Sequence, residues 1–257
     1  MLTLPPPKFH VEGFEGNRGA HLYRVKALTG EVLEGYLPSV TKKLDLIGGS
    51  KTGALMGWAV KEALSHVEKR MVLALSSNEA VTRELVVETL AAGRKRPERV
   101  KDAAADLGTR VHGLIDEWIL TGSTRAQDVD EMVAFCNFTM FVSKYKMRFL
   151  SGDLPVASLR YKYGGRLDAI AEINGKLVLL DWKTSNAIRD DYALQVAAYR
   201  LALFETYGIR ADKAMVVRFD KVDPKVLDHK EVRLAQATKT WKALAAFEGE
   251  YNKEVWK

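Results

Sequence analysis

The clearest pattern along the chain lies between residues 165 and 183, where apolar and β-branched residues form two short runs around Asn174-Gly175. Asn-Gly between such runs is a strong hairpin signal, because both turn residues can adopt left-handed backbone angles. A two-residue turn sets Ile173 opposite Lys176, and counting outward brings Asp168 opposite Asp181. Alternation then puts Arg166, Asp168, Asp181 and Lys183 on one face. The other face carries Leu167, Ala169, Ala171, Val178, Leu180 and Trp182 and reads as a core face.

Ahead of the hairpin, Pro5-Pro6-Pro7 predicts an extended start. Strand-like runs follow around Ala20–Val25 and Val32–Tyr36, with a turn at Leu28-Thr29-Gly30-Glu31. Ser39 is placed to cap a short helix, and Gly48, Gly49 and Gly53 then interrupt. Helical spacing resumes from Ala54 to about Leu75, through Leu55, Trp58, Ala59, Ala63, Val67 and Met71. Asn78 to Ala92 predicts a helix ending at Gly93, and Arg94 to Arg99 reads as a basic loop. Pro97 is suited to open the next helix, which runs from about Glu98 to Leu120 and buries Leu107, Val111, Leu114, Ile115 and Trp118. A further helix spans about Ala126 to Tyr145. The first strand of the sheet is expected from Val156 to Tyr163. After the hairpin come a helix from about Ile188 to Glu205, a strand from Ala214 to Phe219, a charged strand, and a helix from Ala235 onward.

This order predicts an α/β (α+β) fold, a small mixed β-sheet flanked by helices. Residues 1–95 read as an N-terminal elaboration of hairpin and helices, and residues 96–257 as the core. The length of 257 residues and 47% hydrophobic content supply such a core readily. No uncharged apolar run reaches the ~18 residues of a membrane span. The single cysteine, Cys136, precludes a disulfide framework and a four-cysteine iron–sulfur cluster, and is compatible with a cytoplasmic location. A net charge of +6 permits a polyanionic partner.

Two carboxylates set directly opposite repel and destabilise a hairpin. A hard divalent cation between them removes the conflict, and a lysine beside it can orient water or steady charge on a phosphate. The alternative is an exposed strand in which Asp168 pairs with Arg166 or Lys183, an arrangement common on surfaces and worth little.

An Asp, then Asp-x-Lys on the next strand, then a helix with Gln195 and Tyr199 one turn apart, resembles the PD-(D/E)XK nucleases. More narrowly it is similar to their RecB-type exonuclease branch, found in phage and mitochondrial genome-maintenance exonucleases. Gly108-Thr109-Arg-Val-His112 is similar to that branch's histidine helix. The resemblance implies an αβββαβ restriction-endonuclease-like core using magnesium or manganese. It implies that Asp168, Asp181, His112 and the Trp182 carbonyl ligate metal, and that Lys183 acts with Asp168 and Asp181 in catalysis. Gln195, Tyr199, Arg166 and Thr184 are then expected to hold the site or the DNA backbone, and Asp116 to orient the His112 imidazole. Relatives often carry a glutamate on the first strand, and none lies between Asp153 and Asp168. The implied activity is hydrolysis of DNA, from single-stranded ends, in recombination, repair or replication. The rivals are an endonuclease of the same superfamily and a DNA-binding module without activity.

Overall fold

The computed structural model describes residues 4–15, 21–45, 49–223 and 225–251. Of the break expected at Gly48, Gly49 and Gly53, Gly48 lies outside them, as does the chain beyond Tyr251, whereas Gly49 and Gly53 do not interrupt but lie within the helix Gly49–Ser76. Contacts divide the chain differently from a boundary at residue 95. Residues Met1–Leu46 and Thr109–Lys257 form one unit, and Ile47–Gly108 form another.

In the first unit, β1 (His10–Glu15), β2 (His21–Lys26) and β3 (Val32–Pro38) make an antiparallel sheet. Strand β1 was not expected, since Gly13 and three polar or charged neighbours interrupt its apolar alternation. Helix α1 (Val40–Leu44) begins as predicted, with Ser39 Oγ accepting from the Lys42 amide at 3.1 Å. The second sheet is built of β4 (Arg148–Ser158), β5 (Tyr163–Ile173), β6 (Lys176–Lys183), β7 (Lys213–Phe219) and β8 (Leu227–Glu231), in that order across the sheet. Only β6 and β7 run parallel, joined by the crossover helix α5 (Asp190–Tyr207). Helix α4 (Val129–Tyr145) opens on Asp128, whose carboxylate accepts from the Glu131 amide at 2.9 Å. Helix α6 (Leu234–Tyr251) follows the last strand.

The expected mixed α/β architecture is present. Strand β4 nevertheless begins earlier than Val156 and stops at Ser158. Ser158 Oγ accepts from the Tyr161 amide, and Lys162 has a φ of 53°, so the chain turns at once and Tyr163 belongs to β5.

The largest departure from the sequence reading is α3, which runs unbroken from Arg83 to Thr121 through both Gly93 and Pro97. Proline within a helix removes one hydrogen bond and crowds the carbonyl four residues back. Here that residue is Gly93, the type with the most backbone freedom. Gly93 is not a helix stop. A Cβ there would lie 2.9 Å from Val67 Cγ2 and 3.1 Å from the Ala63 carbonyl, so a side chain is excluded by the approach of α2 (Gly49–Ser76).

Both faces of the five-stranded sheet are covered, which corrects the expectation of a single core face. On one side, Leu154, Val156, Tyr163, Leu167, Ile170 and Leu179 pack with Val196, Ala198 and Tyr199 of α5. On the other, Trp182 meets Phe138 of α4 at 5.7 Å and Phe219 at 5.6 Å between ring centroids. Burial on both faces explains why alternation between apolar and polar residues is weak in these strands.

The two sheets touch where Tyr23 lies on β5. A Cβ at Gly164 would collide with Tyr23 Cβ and Cγ, and Tyr23 is itself buried with Phe9, Val25, Leu37 and Ala157. Gly164→Ala therefore forces one sheet away from the other. It is expected to destabilise the protein by about 1–3 kcal/mol, the usual cost of overpacking, read as a lower urea midpoint with an unchanged slope.

Candidate active site

The turn at Asn174 (φ 50°) and Gly175 (φ 71°) sets the predicted register, with Ile173 opposite Lys176. The ladder between β5 and β6 continues to Ala169 and Leu180 and ends there. Asp168 and Asp181 occupy the next position, and the Asp168 carboxylate takes over from the ladder: its Oδ2 accepts from the Trp182 amide at 2.6 Å. From this point β6 continues against β7 alone, pairing Asp181 with Val216, Trp182 with Val217 and Lys183 with Arg218.

A change of face on β5 causes the parting. Leu167 and Ile170 lie in the same core layer although they are three residues apart, where strict alternation would set them on opposite sides. Across from Asp168, between the Gly152–Ala169 and Leu154–Leu167 pairs, stands Asp153 with a φ of 43°. The register of β4 against β5 is unchanged across Asp153, and its one shift lies earlier, between Phe149 and Ser151. The ladder between β5 and β6 has ended before this point, so Arg166 is not across from Lys183, as simple counting predicts. Arg166 instead grips Asp153 through Nε to Oδ1 at 2.5 Å and through Nη2 to Oδ2.

The structure brings His112, Asp168, Asp181 and Lys183 together. His112 Nδ1 lies 3.3 Å from Asp168 Oδ1. Lys183 Nζ lies 2.7 Å from Asp181 Oδ2, and Asp181 is only 1% exposed. Burial disfavours charge on His112, yet the Asp168 charge and hydrogen bond outweigh it and raise its pKa. Burial likewise pushes Asp168 up, but His112, Lys183 and the Trp182 amide bring it below the usual carboxylate value. For Asp181, burial dominates and, with the Asp168 charge beside it, carries the pKa to about 6 against the pull of Lys183. Lys183 is raised, because Asp181 and Asp168 overcome its burial.

Gln195 and Tyr199 are buried, and Gln195 Nε2 donates to the Tyr199 hydroxyl at 3.0 Å. The Tyr199 ring occupies the place of a side chain at Gly165. Both therefore lie beneath the site and not on its surface. Thr184 is half-buried directly after β6, and the Trp182 indole belongs to the core while its backbone borders Asp168. Asp116 does not hold the His112 imidazole, whose Nδ1 partner is Asp168. Its own Oδ1 is buried with no hydrogen-bond partner, and burial with the neighbouring Asp153 and Asp168 charges pushes its pKa up to about 7.

The two carboxylates are the oxygen ligands that magnesium and manganese take, and the imidazole nitrogen beside them suits a transition ion better than magnesium. Asp181 Oδ2, buried with no hydrogen bond aligned on it, is the atom with most to gain. Among the described residues, however, no three His, Cys, Asp or Glu side chains converge as they stand on one metal position. Asp168 is engaged by His112 and Trp182, and Asp181 by Lys183. Asp168 and Asp181 would have to give up those internal pairs to hold an ion, which would supply Lewis-acid chemistry there.

Two neighbours carried no sequence signal. Asp153 stands across from Asp168 on the neighbouring strand β4, and Tyr192 lies under Lys183, with Nζ 5.0 Å from its ring centre. Their positions depend on strand register and helix packing, which local spacing does not encode.

The mixed sheet thus carries a buried Asp-x-Lys at the parting of two strands, with a second Asp beside it. Residues 130–254 match the PD-(D/E)XK nuclease superfamily, so the chain carries a domain of that superfamily over this stretch. His112 stands ahead of it. No curated protein matches the chain. A solved structure described as "Crystal structure of SSO0001" aligns at 15% identity over 80% of this chain and 89% of that one, with a TM-score of 0.32.

The Asp116 carboxyl gives a test of this electrostatic arrangement. A carboxyl whose folded pKa is raised is best tolerated below its unfolded value of about 4, and its penalty grows as pH rises to about 7. Asp116→Asn is therefore expected to gain stability relative to the parent between pH 5 and pH 8 in chelator. Thermal melts at the two pH values measure this, and an equal difference at both would show that Asp116 ionises freely.

Proposed function

We propose that this protein is a magnesium- or manganese-dependent deoxyribonuclease that degrades DNA from single-stranded ends, in recombination, repair or replication. Membership of its domain in the PD-(D/E)XK superfamily implies a metal-dependent nuclease. The observation that carries the catalytic reading is the buried Asp181–Lys183 pair beside Asp168 and His112. Such an arrangement has no evident value to a module that only binds DNA, because an ion pair so deeply buried gives little net stability.

In this reading Asp168 and Asp181 hold the ion, with His112 as nitrogen ligand and the Trp182 carbonyl as a further oxygen. When bound, the ion supplies Lewis-acid stabilisation of the phosphoryl oxygens and acidifies water. Lys183 stays protonated beside two carboxylates, so it serves as a donor to the attacking water and to the phosphate, not as a base. Water adds to phosphorus as the bridging P–O bond breaks, and charge accumulates on oxygens that Lys183 faces. Gln195 and Tyr199 fix α5 behind the site. Thr184 contributes a hydroxyl to the phosphate, whereas Arg166 reaches DNA only by releasing Asp153. Restriction to free ends follows the resemblance to RecB-type exonucleases.

Lys183→Ala is expected to lower turnover by about 10²–10³-fold while leaving DNA affinity nearly unchanged, since a group acting in the transition state affects kcat. Asp181→Asn should lose both cleavage and manganese binding by calorimetry. Full activity of Asp181→Asn with magnesium would remove the catalytic reading.

End dependence is tested on linear and circular single-stranded DNA of one sequence. The circle is expected to persist while the linear strand disappears. Equal rates would replace the exonuclease with an endonuclease.

A further inference from the structure

Beside the candidate site, Tyr192 on the first turn of α5 is buried and serves two cations. Lys183 Nζ lies 5.0 Å from its ring centre and Arg189 Cζ lies 4.6 Å from it. The two side chains arrive by different routes. Lys183 comes from the end of β6, whereas Arg189 is the residue before α5 and offers no side-chain cap to that helix.

Two like charges on one ring repel, and each needs an anion. Lys183 has Asp181. Arg189 has only Asp191, through Nε to Oδ1 at 3.2 Å, and its side chain is 53% exposed. Neither Nη atom has a hydrogen-bond partner among the described residues. Arg189 also lines a cavity of about 290 Å³ at the N-terminal ends of α5 and α6, whose other charged lining is mixed, Lys230 and Arg233 with Asp190 and Glu231. A guanidinium stacked on an aromatic ring is fixed in orientation, and its free edge matches two phosphate oxygens.

We propose that Arg189, held on Tyr192 beside Lys183, binds a phosphate of the DNA strand adjoining the one that is cut. This rests on the nuclease reading above. Lys183 then works on the reacting phosphate, while Arg189 fixes the neighbouring one and sets the register of the strand. Tyr192 is a positioning residue, and Arg189 a substrate contact.

The test uses the full chain and a labelled single-stranded oligonucleotide. Equilibrium binding is measured in chelator between 50 and 200 mM salt, and steady-state cleavage with manganese. Arg189→Ala is expected to weaken binding about 10-fold, as loss of a charge-assisted hydrogen bond does. The log–log salt slope should become shallower by about 0.7, the contribution of one phosphate contact on a single strand. The cleavage defect should fall on KM more than on kcat. Arg189→Lys should restore the slope but only part of the affinity, because an ammonium lacks the planar fork. Unchanged affinity and slope in Arg189→Ala, with the parent binding and cutting normally, would overturn the assignment of Arg189 alone. A parent protein that neither binds nor cuts the oligonucleotide would overturn the nuclease reading, and this inference with it.

Discussion

A carboxylate taken out of water must be matched by a counter-group or take up a proton, and the centre of this fold is arranged around the first solution. Asp181 is buried at the parting of two strands, with Lys183 two residues on along the same strand. Asp168 is matched differently, by a histidine from another helix and by a backbone amide. Each carboxylate thus has its own counter-group, and the hairpin does not suffer the bare repulsion that its register suggests. The pairs leave these carboxylates neutralised by the protein's own groups.

Much of this was legible in the sequence because it is local. The Asn174-Gly175 turn fixes the register by itself, and Ser39 and the helical spacing of α5 are read from neighbouring residues. What failed to show was non-local. Gly93 and Pro97 look like a helix end, yet the glycine answers to Val67 and Ala63 on another helix. Simple alternation placed Arg166 beside Lys183, but the β5–β6 ladder stops at Ala169 and Leu180 and Arg166 pairs with Asp153 on β4, which no residue pattern within β5 announces.

Gln195 and Tyr199 show a related limit. Their spacing correctly marks one face of a helix, but the identity of what that face meets is decided by the sheet. Tyr199 fills the space left by Gly165, so of the two expected tasks, holding the site or the DNA backbone, the packing of this buried pair is in keeping with the first. Substitution at Gly165 would reach Asp181 through that ring without touching the site directly.

The two-residue turn also bears on the order in which the chain assembles. Hairpins with short loops close in microseconds, since little chain must be ordered before contacts form. The β5–β6 hairpin therefore brings Asp168 and Asp181 near one another early. The parallel pairing of β6 with β7 waits for the whole α5 crossover, and with it come Tyr192 and the cover over Lys183. Between those events the nascent hairpin carries two neighbouring carboxylates still open to solvent, and water, not protein, screens their repulsion. Burial comes last, when Lys183 is already at hand.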